Sequence, residues 1–243
     1  MNETINSILP ALPLPGLDHH QALQVEFSWL SMLIIIAMLI VFIARFKTIP
    51  GGFQNAIEML TEFIEGFLMD ICGPKGMPYF TLVMTVFLFV GVSNYIGLVP
   101  GCLSPTATLN TTAAIAIVVF VIYQFVGITK NGLHYLKHFL GPIPLLSPII
   151  LPIEIISELA RPFSLSVRLF ANIFGGELII GLLMGAAMFA VPVFSAHVHF
   201  FFWAPAFMML WESLITAWIQ AFVFSLLTMI YLSGAILVED EDH

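Results

Sequence analysis

The sequence predicts an all-α polytopic membrane protein with about five membrane-crossing helices and one amphipathic interfacial helix. Three observations carry this. Of 243 residues, 60% are hydrophobic and 9% charged, a balance far from that of soluble domains. Several apolar runs reach the roughly 20 residues that a helix needs to cross hydrocarbon. Basic residues gather at span ends, as membrane topology requires. The chain reads as a single membrane domain over 1–243, with no soluble catalytic domain left over.

Residues 1–26 form an external N-terminal tail that lacks the basic region and short apolar core of a cleaved signal, so the first span is expected to serve as its own insertion signal. That span covers 27–44 and is followed at once by Arg45 and Lys47, which places this end in the cytoplasm. Beyond the Ile49-Pro-Gly-Gly52 break, residues 53–72 carry Phe53, Ile57, Leu60, Ile64, Phe67, Leu68 and Ile71 at helical spacing opposite Glu58, Glu62 and Glu65. The acidic polar face makes anionic headgroups a poor target. Contact with another protein and packing on its own bundle both remain open.

The second and third spans lie within 79–128, joined by the turn-rich GLVPGCLSPTATLN. Lys130 and Lys137 follow as a second cytoplasmic basic cluster, in agreement with the first. Residues 147–237 read as a long tilted helical hairpin, with Pro192 to Pro205 as its turn. Each arm would be on the order of 45 Å or longer, against hydrocarbon about 30 Å thick. Tilt, a kink at Pro162 or passage along the interface must absorb the excess. The acidic tail 238–243 is then cytoplasmic, and the N-terminus external.

The net charge of −8 comes largely from tails and the amphipathic segment, which argues against nucleic acid as a partner. Cys72 and Cys102 flank the second span on opposite sides, too far apart for a disulfide, and read as structural.

Arg168 is the most informative residue. It sits within SLSVRLFANIFGGELIIGLLMGAAMFA, where a permanent charge costs roughly 2.5 to 3.5 kcal/mol unless a counter-charge or aqueous cavity rewards it. Counting at about 100° per residue puts Ser157, Arg161, Ser164, Asn172 and Gly175 near its face and Glu177 almost opposite, about 13 Å further along the axis. The small polar stripe permits close approach of another helix. On the last helix Glu212, Thr216 and Gln220 form a polar line at i, i+4 and i+8. Each Ser, Thr, Asn or Gln also has an ordinary reading as interhelical glue.

The runs RPFSLSVRLFANIFGGELIIGL and WIQAFVFSLLTMIYLSGA resemble subunit a of the F-type ATP synthases, the stator channel subunit beside the rotating c-ring. The similarity extends over most of the chain beyond Phe27, including N-x-x-G-L-V-P at Asn94 to Pro100 and P-T-A-x-L-N-T-T at Pro105 to Thr112. The resemblance implies that Arg168 is the essential stator arginine, supported by Asn172 and Gln220. It implies that Glu177 lies in an external half-channel, and Glu154 and Ser157 near a cytoplasmic one. Two departures stand out: Thr108 where many relatives have Asp, and Ser213 where some have His or an acid. Glu212, Ser213, His197 and His199 are therefore candidates for the external relay.

By the same resemblance the partners are the c-ring of subunit c, peripheral stalk subunit b and the translocated ion, H⁺ with Na⁺ left open, in a lipid bilayer that is a bacterial inner membrane. No cofactor or metal is implied. No G-x-x-x-x-G-K-[ST] loop is present, so the chain is not expected to be catalytic by itself. The rival class is a secondary transporter or channel using a buried Arg/Glu site, for which solute flux by the chain alone would speak. A haem or quinone anchor would need ligands within the spans, and all seven histidines fall in tails, loops or span ends.

Overall fold

The computed structural model describes residues 19–48, 50–99, 102–132, 147–190, 203, 207–211 and 215–237. Its described elements are helices α1 (His19–Ala44), α2 (Gly52–Cys72), α3 (Phe80–Ile96), α4 (Leu109–Asn131), α5 (Ser147–Ala190) and α6 (Ala217–Leu237), with 3₁₀ turns at Pro74–Tyr79 and Pro105–Ala107. Among the described residues, five stretches are long and apolar enough to cross a membrane: Gln21–Ala44, Pro74–Ile96, Leu109–Asn131, Ile150–Ala186 and Ala217–Ile236. The protein is an all-α, multi-pass membrane protein. The hairpin turn 192–205 lies almost wholly outside the described residues.

Local chemistry sets the helix ends. Gly51 is extended, and the side chain of Gln54 staples the incoming strand of chain onto α2. Its Oε1 accepts from the Lys47 N–H at 3.1 Å, while its Nε2 donates to the Lys47 carbonyl at 3.0 Å and to Glu58 Oε1 at 2.8 Å. At the other end Gly73 takes φ 63°, a left-handed conformation that glycine adopts without Cβ strain, and its N–H closes on the Met69 carbonyl at 3.0 Å. Gly132 ends α4 in the same way, with φ 54°. Helix α5 has 44 residues and is about 66 Å long at the standard rise. It runs through Pro152 and Pro162; the latter supplies no N–H to the Glu158 carbonyl one turn back.

The predicted stripe of α2 is turned inward except at its start: Ile64 and Leu68 are buried, Ile57, Leu60, Phe67 and Ile71 half-buried, and Phe53 is exposed. Gln54 and Cys72 are also buried, whereas Met59, Phe63 and Met69 face outward. The amide of Gln54, held by Lys47, occupies the buried edge in place of Phe53. Glu26 also departs from expectation: α1 begins at His19, so this acid is buried within a helix instead of lying in a solvated tail.

The fold divides into two compact units, one of residues 1–37, 88–112 and 168–222, the other of 38–87, 113–167 and 223–243. In the first, Leu23, Phe27, Val90, Leu169, Ile173, Ala217 and Ala221 form the core. A Cβ built on Gly91 would stand 3.8 Å from that of Ala221, so small residues bring α3 and α6 close. In the second, Ile64, Leu68, Val83, Phe87, Val119, Leu165, Phe224, Met229 and Leu232 are buried.

Polar contacts also fasten the second unit. The Cys72 thiol donates to the Met229 carbonyl at 3.3 Å, Ser233 Oγ to the Ile71 carbonyl at 2.8 Å, and Asn131 Nδ2 to the Ala235 carbonyl at 2.8 Å. In hydrocarbon, apolar burial drives little association between helices, so packing and bonds of this kind, each about 0.6 kcal/mol, carry more of the load. The outward Leu33, Ile40 and Ile43 of α1 suit a lipid solvent.

Candidate functional site

Arg168 is exposed on the surface of the chain, and among the described residues it makes no hydrogen bond or ion pair. At helical spacing from it along α5 stand Ser157, Ala160, Ser164 and Ala171, all exposed and all small. One turn beyond the arginine, Asn172 Nδ2 donates to Gln220 Oε1 at 2.7 Å. Gln220 is buried on α6, so its acceptor fixes the asparagine amide and ties α5 to α6 beside the charged position. The arginine is thus flanked at helical spacing by small residues, with a rigid amide pair next to it.

Glu177 is half-buried and belongs to a different feature. It lines a cavity of about 340 Å³ with Asn94, Gly97, Cys102, Ile173, Gly181 and Ala217 among its neighbours. Beside that cavity a chain of polar groups is completely enclosed. Ser93 Oγ donates to Ser31 Oγ at 3.2 Å, and Ser104 Oγ to the Ser93 carbonyl at 3.2 Å. The Ser104 and Thr106 hydroxyls lie 2.8 Å apart, so the single Ser104 proton serves either the Ser93 carbonyl or Thr106 Oγ1; Thr106 Oγ1 donates to Asn94 Oδ1 at 2.6 Å, and Asn94 Nδ2 donates to the Ala217 carbonyl at 3.3 Å. Each buried polar atom in this chain is satisfied by the next, which avoids the cost of about 1 to 3 kcal/mol for a stranded donor or acceptor. The Asn94 amide lies at the cavity wall, so the network fixes one polar edge of a space that holds a carboxylate.

In the second unit lies a cluster that the sequence did not disclose. Glu158 is buried, and its Oε1 pairs with Arg161 Nη1 at 2.8 Å. Its Oε2 accepts from Tyr123 Oη at 3.0 Å and from Gln124 Nε2 at 2.9 Å. The Arg161 guanidinium lies 5.3 Å from the centroid of the Tyr231 ring, within cation–π range, and Tyr231 in turn approaches Tyr123 with ring centroids 5.8 Å apart. Arg161, grouped by helical counting with the Arg168 stripe, is instead turned toward α4 and α6. Its i, i+3 spacing from Glu158 was the one available signal.

The other candidates distribute as follows. Glu154 is half-buried and Ser157 exposed on α5. Thr108 is engaged locally, its Oγ1 donating to the Pro105 carbonyl at 3.0 Å and bonding Thr111 Oγ1 at 3.0 Å. Thr216 is half-buried ahead of α6. Glu212, Ser213, His197 and His199 lie outside the described residues. Cys72 and Cys102 are both free thiols; burial pushes the Cys72 thiol up to about 11.

Comparison with known proteins bears on the same residues. The family model described as ATP synthase A chain matches residues 25–233. "ATP synthase subunit a 2" of Syntrophotalea carbinolica is 43% identical over 221 residues, covering 90% of this chain and 88% of the relative. "ATP synthase subunit a 1" of Pelobacter propionicus is 44% identical over 212 residues, covering 87% and 86%. "ATP synthase subunit a" of Geobacter sulfurreducens is 43% identical over 212 residues with the same coverage. With the match running through α1 to α6 and across both arginines of α5, the chain belongs to the ATP synthase subunit a family.

Proposed function

We propose that this chain is the ion-translocating stator subunit of a rotary F-type ATP synthase, in which Arg168 faces the membrane-embedded carboxylates of a c-ring while two offset half-channels lead ions to and from that ring. The observation that carries the reading is the exposed Arg168, which has no partner among the described residues and is flanked at helical spacing by small residues. A fixed cation without an internal counter-charge is rewarded by acids on a neighbour, and small flanking side chains permit close approach.

Unit charges about 4 Å apart gain roughly 4 kcal/mol at an effective dielectric near 20, and a neighbouring cation lowers a carboxylate pKa by about 1 to 3 units. A rotor acid passing Arg168 therefore gives up its proton and regains one only after moving on. Because a guanidinium with pKa above about 12 does not deprotonate, it also bars direct leakage between the two half-channels. The transmembrane potential, about 2.3 kcal/mol per charge per 100 mV, is the driving force.

Within this scheme the cavity at Glu177 serves the external half-channel, the Asn172–Gln220 pair holds the α5 surface beside Arg168, and Glu154 and Ser157 line the cytoplasmic approach. The N-terminus is external and the C-terminus cytoplasmic, supported by the basic residues that follow α1 and α4. Peripheral stalk subunit b is the static partner. The translocated ion is H⁺ or Na⁺, a choice that rests mainly with the rotor carboxylate.

The test is ATP-driven pumping by the whole complex in inverted membrane vesicles. Arg168→Ala is expected to abolish coupled transport while the subunit still co-purifies with the c-ring. Pumping at the wild-type rate by that variant refutes the role.

A further inference from the structure

The Glu158 cluster has no part in the scheme above, and its chemistry is opposite to that of an ion relay. Both carboxylate oxygens are occupied by donors: a guanidinium on Oε1, a phenol and an amide on Oε2. All three are donors held by the fold, which fixes the carboxylate in place. Arg161, meanwhile, stands seven residues before Arg168 on the same continuous helix, a spacing of two turns that returns near the same helical face. Left uncompensated, it would offer a second fixed cation to any acid passing that face.

We propose that Glu158 and Arg161 form a charge-silencing clamp: Glu158 neutralises Arg161 and turns it onto the Tyr231 ring, so that Arg168 is the one arginine of α5 presented to rotor carboxylates. The inference rests on the stator reading of Arg168. Glu158 acts here as a positioning residue and not as an ion relay. Tyr123 and Gln124 hold it from α4, and Tyr231 receives the guanidinium from α6. Both members lie just before Pro162, which supplies no N–H to the Glu158 carbonyl.

The two partners fail differently. A buried carboxylate without its cation can discharge itself by taking a proton, whereas a guanidinium cannot shed its charge. In the intact complex, Glu158→Gln therefore slows ATP-driven pumping at least about tenfold, because Arg161 becomes a second trap for rotor acids. Arg161→Gln stays within about threefold of wild type, and the Glu158→Gln/Arg161→Gln double variant within about twofold. Pumping is normalised to the amount of chain that co-purifies with the c-ring.

A purely structural ion pair would lower the amount of assembled chain but leave the normalised pumping of Glu158→Gln near wild type, and a proton relay through Glu158 would leave the double variant as slow as Glu158→Gln. Either result overturns the clamp. If Glu158→Gln does not assemble, the other two variants still decide: normal pumping by both supports the clamp and slow pumping by either refutes it. Arg168→Ala is measured in parallel. Should it pump, the stator reading has failed; should it be inactive while the assembled double variant is also inactive, only the clamp has.

Discussion

A single methyl group at Gly97 tests whether the wall of the Glu177 cavity is as tightly built as its geometry indicates. A Cβ placed there would lie inside van der Waals contact with Ser104 Cβ, 3.1 Å from Ser104 Cα and 3.1 Å from Glu177 Oε1. Ser104 cannot move aside freely, since its hydroxyl lies within bonding distance of both the Ser93 carbonyl and Thr106 Oγ1 and donates to one of them. Overpacking costs about 1 to 3 kcal/mol, and each bond that Ser104 gives up adds about 1 kcal/mol. Gly97→Ala should therefore destabilise this part of the fold by about 2 to 4 kcal/mol. For a chain of this size that is a fall in unfolding midpoint of at least about 4 °C. The same methyl narrows the space at Glu177, so proton uptake should slow. Differential scanning fluorimetry of the purified complex reads the first effect and vesicle pumping the second. Adding Ser104→Gly removes the worst contact, and the cycle should show a coupling of about 1 kcal/mol or more. An unchanged midpoint and pumping rate in Gly97→Ala would refute the argument.

Three further outcomes follow from the same geometry. Gln220→Leu strips the acceptor from Asn172 and should cost about 1 kcal/mol of stability, with Asn172→Leu adding little on top because the two share one bond; unfolding midpoints of the single and double variants check this. Thr106→Val leaves buried Asn94 Oδ1 without its donor at a cost of about 1 to 3 kcal/mol, whereas Thr106→Ser retains the hydroxyl and should be near neutral on the same assay. The Cys72 thiol, raised by burial from 9.0 to about 11, stays protonated at pH 8, so N-ethylmaleimide should label Cys102 well before Cys72, as mass spectrometry would show. Because this folded pKa lies above the ordinary one, the thiol favours the folded state fully below pH 9.0, an advantage lost as pH rises towards about 11.

What the sequence discloses follows from the range of each interaction. Hydropathy is a sum over neighbours in the chain, so the fold class was legible. The cost of a charge in hydrocarbon depends on one residue and its flanks, so Arg168 stood out. The clamp did not, because Glu158 meets Tyr123 and Gln124 across 35 and 34 residues of chain, and no local pattern announces such a pairing. Helical counting assigned Arg161 to a face by angle alone, without the aromatic ring and carboxylate that draw it elsewhere. The polar chain from Ser31 to Asn94 was hidden differently: each hydroxyl by itself reads as generic glue, and only the fold orders them into one sequence of donors and acceptors. Gln54 likewise looks like a stray amide in an amphipathic pattern until its two bonds to Lys47 are seen.

The contrast between the two arginines of α5 bears on how a membrane motor subunit can carry charge at all. An isolated guanidinium in hydrocarbon costs roughly 2.5 to 3.5 kcal/mol on insertion scales, and Arg161 offsets this inside its own chain with an acid and an aromatic ring. Had Arg168 been satisfied in the same way, it would be stable and inert. Arg168 lacks an internal partner among the described residues; on the proposed stator reading the compensation comes from another molecule, and a stabilisation supplied from outside can be withdrawn and renewed. The attraction must also stay moderate. At roughly 4 kcal/mol an ion pair holds its partner about a thousandfold more tightly than none, enough to bias protonation but weak enough to be broken by motion. Direct salt bridges from a second arginine would deepen the trap and stall that motion, which is why silencing Arg161 and exposing Arg168 are two parts of one electrostatic requirement.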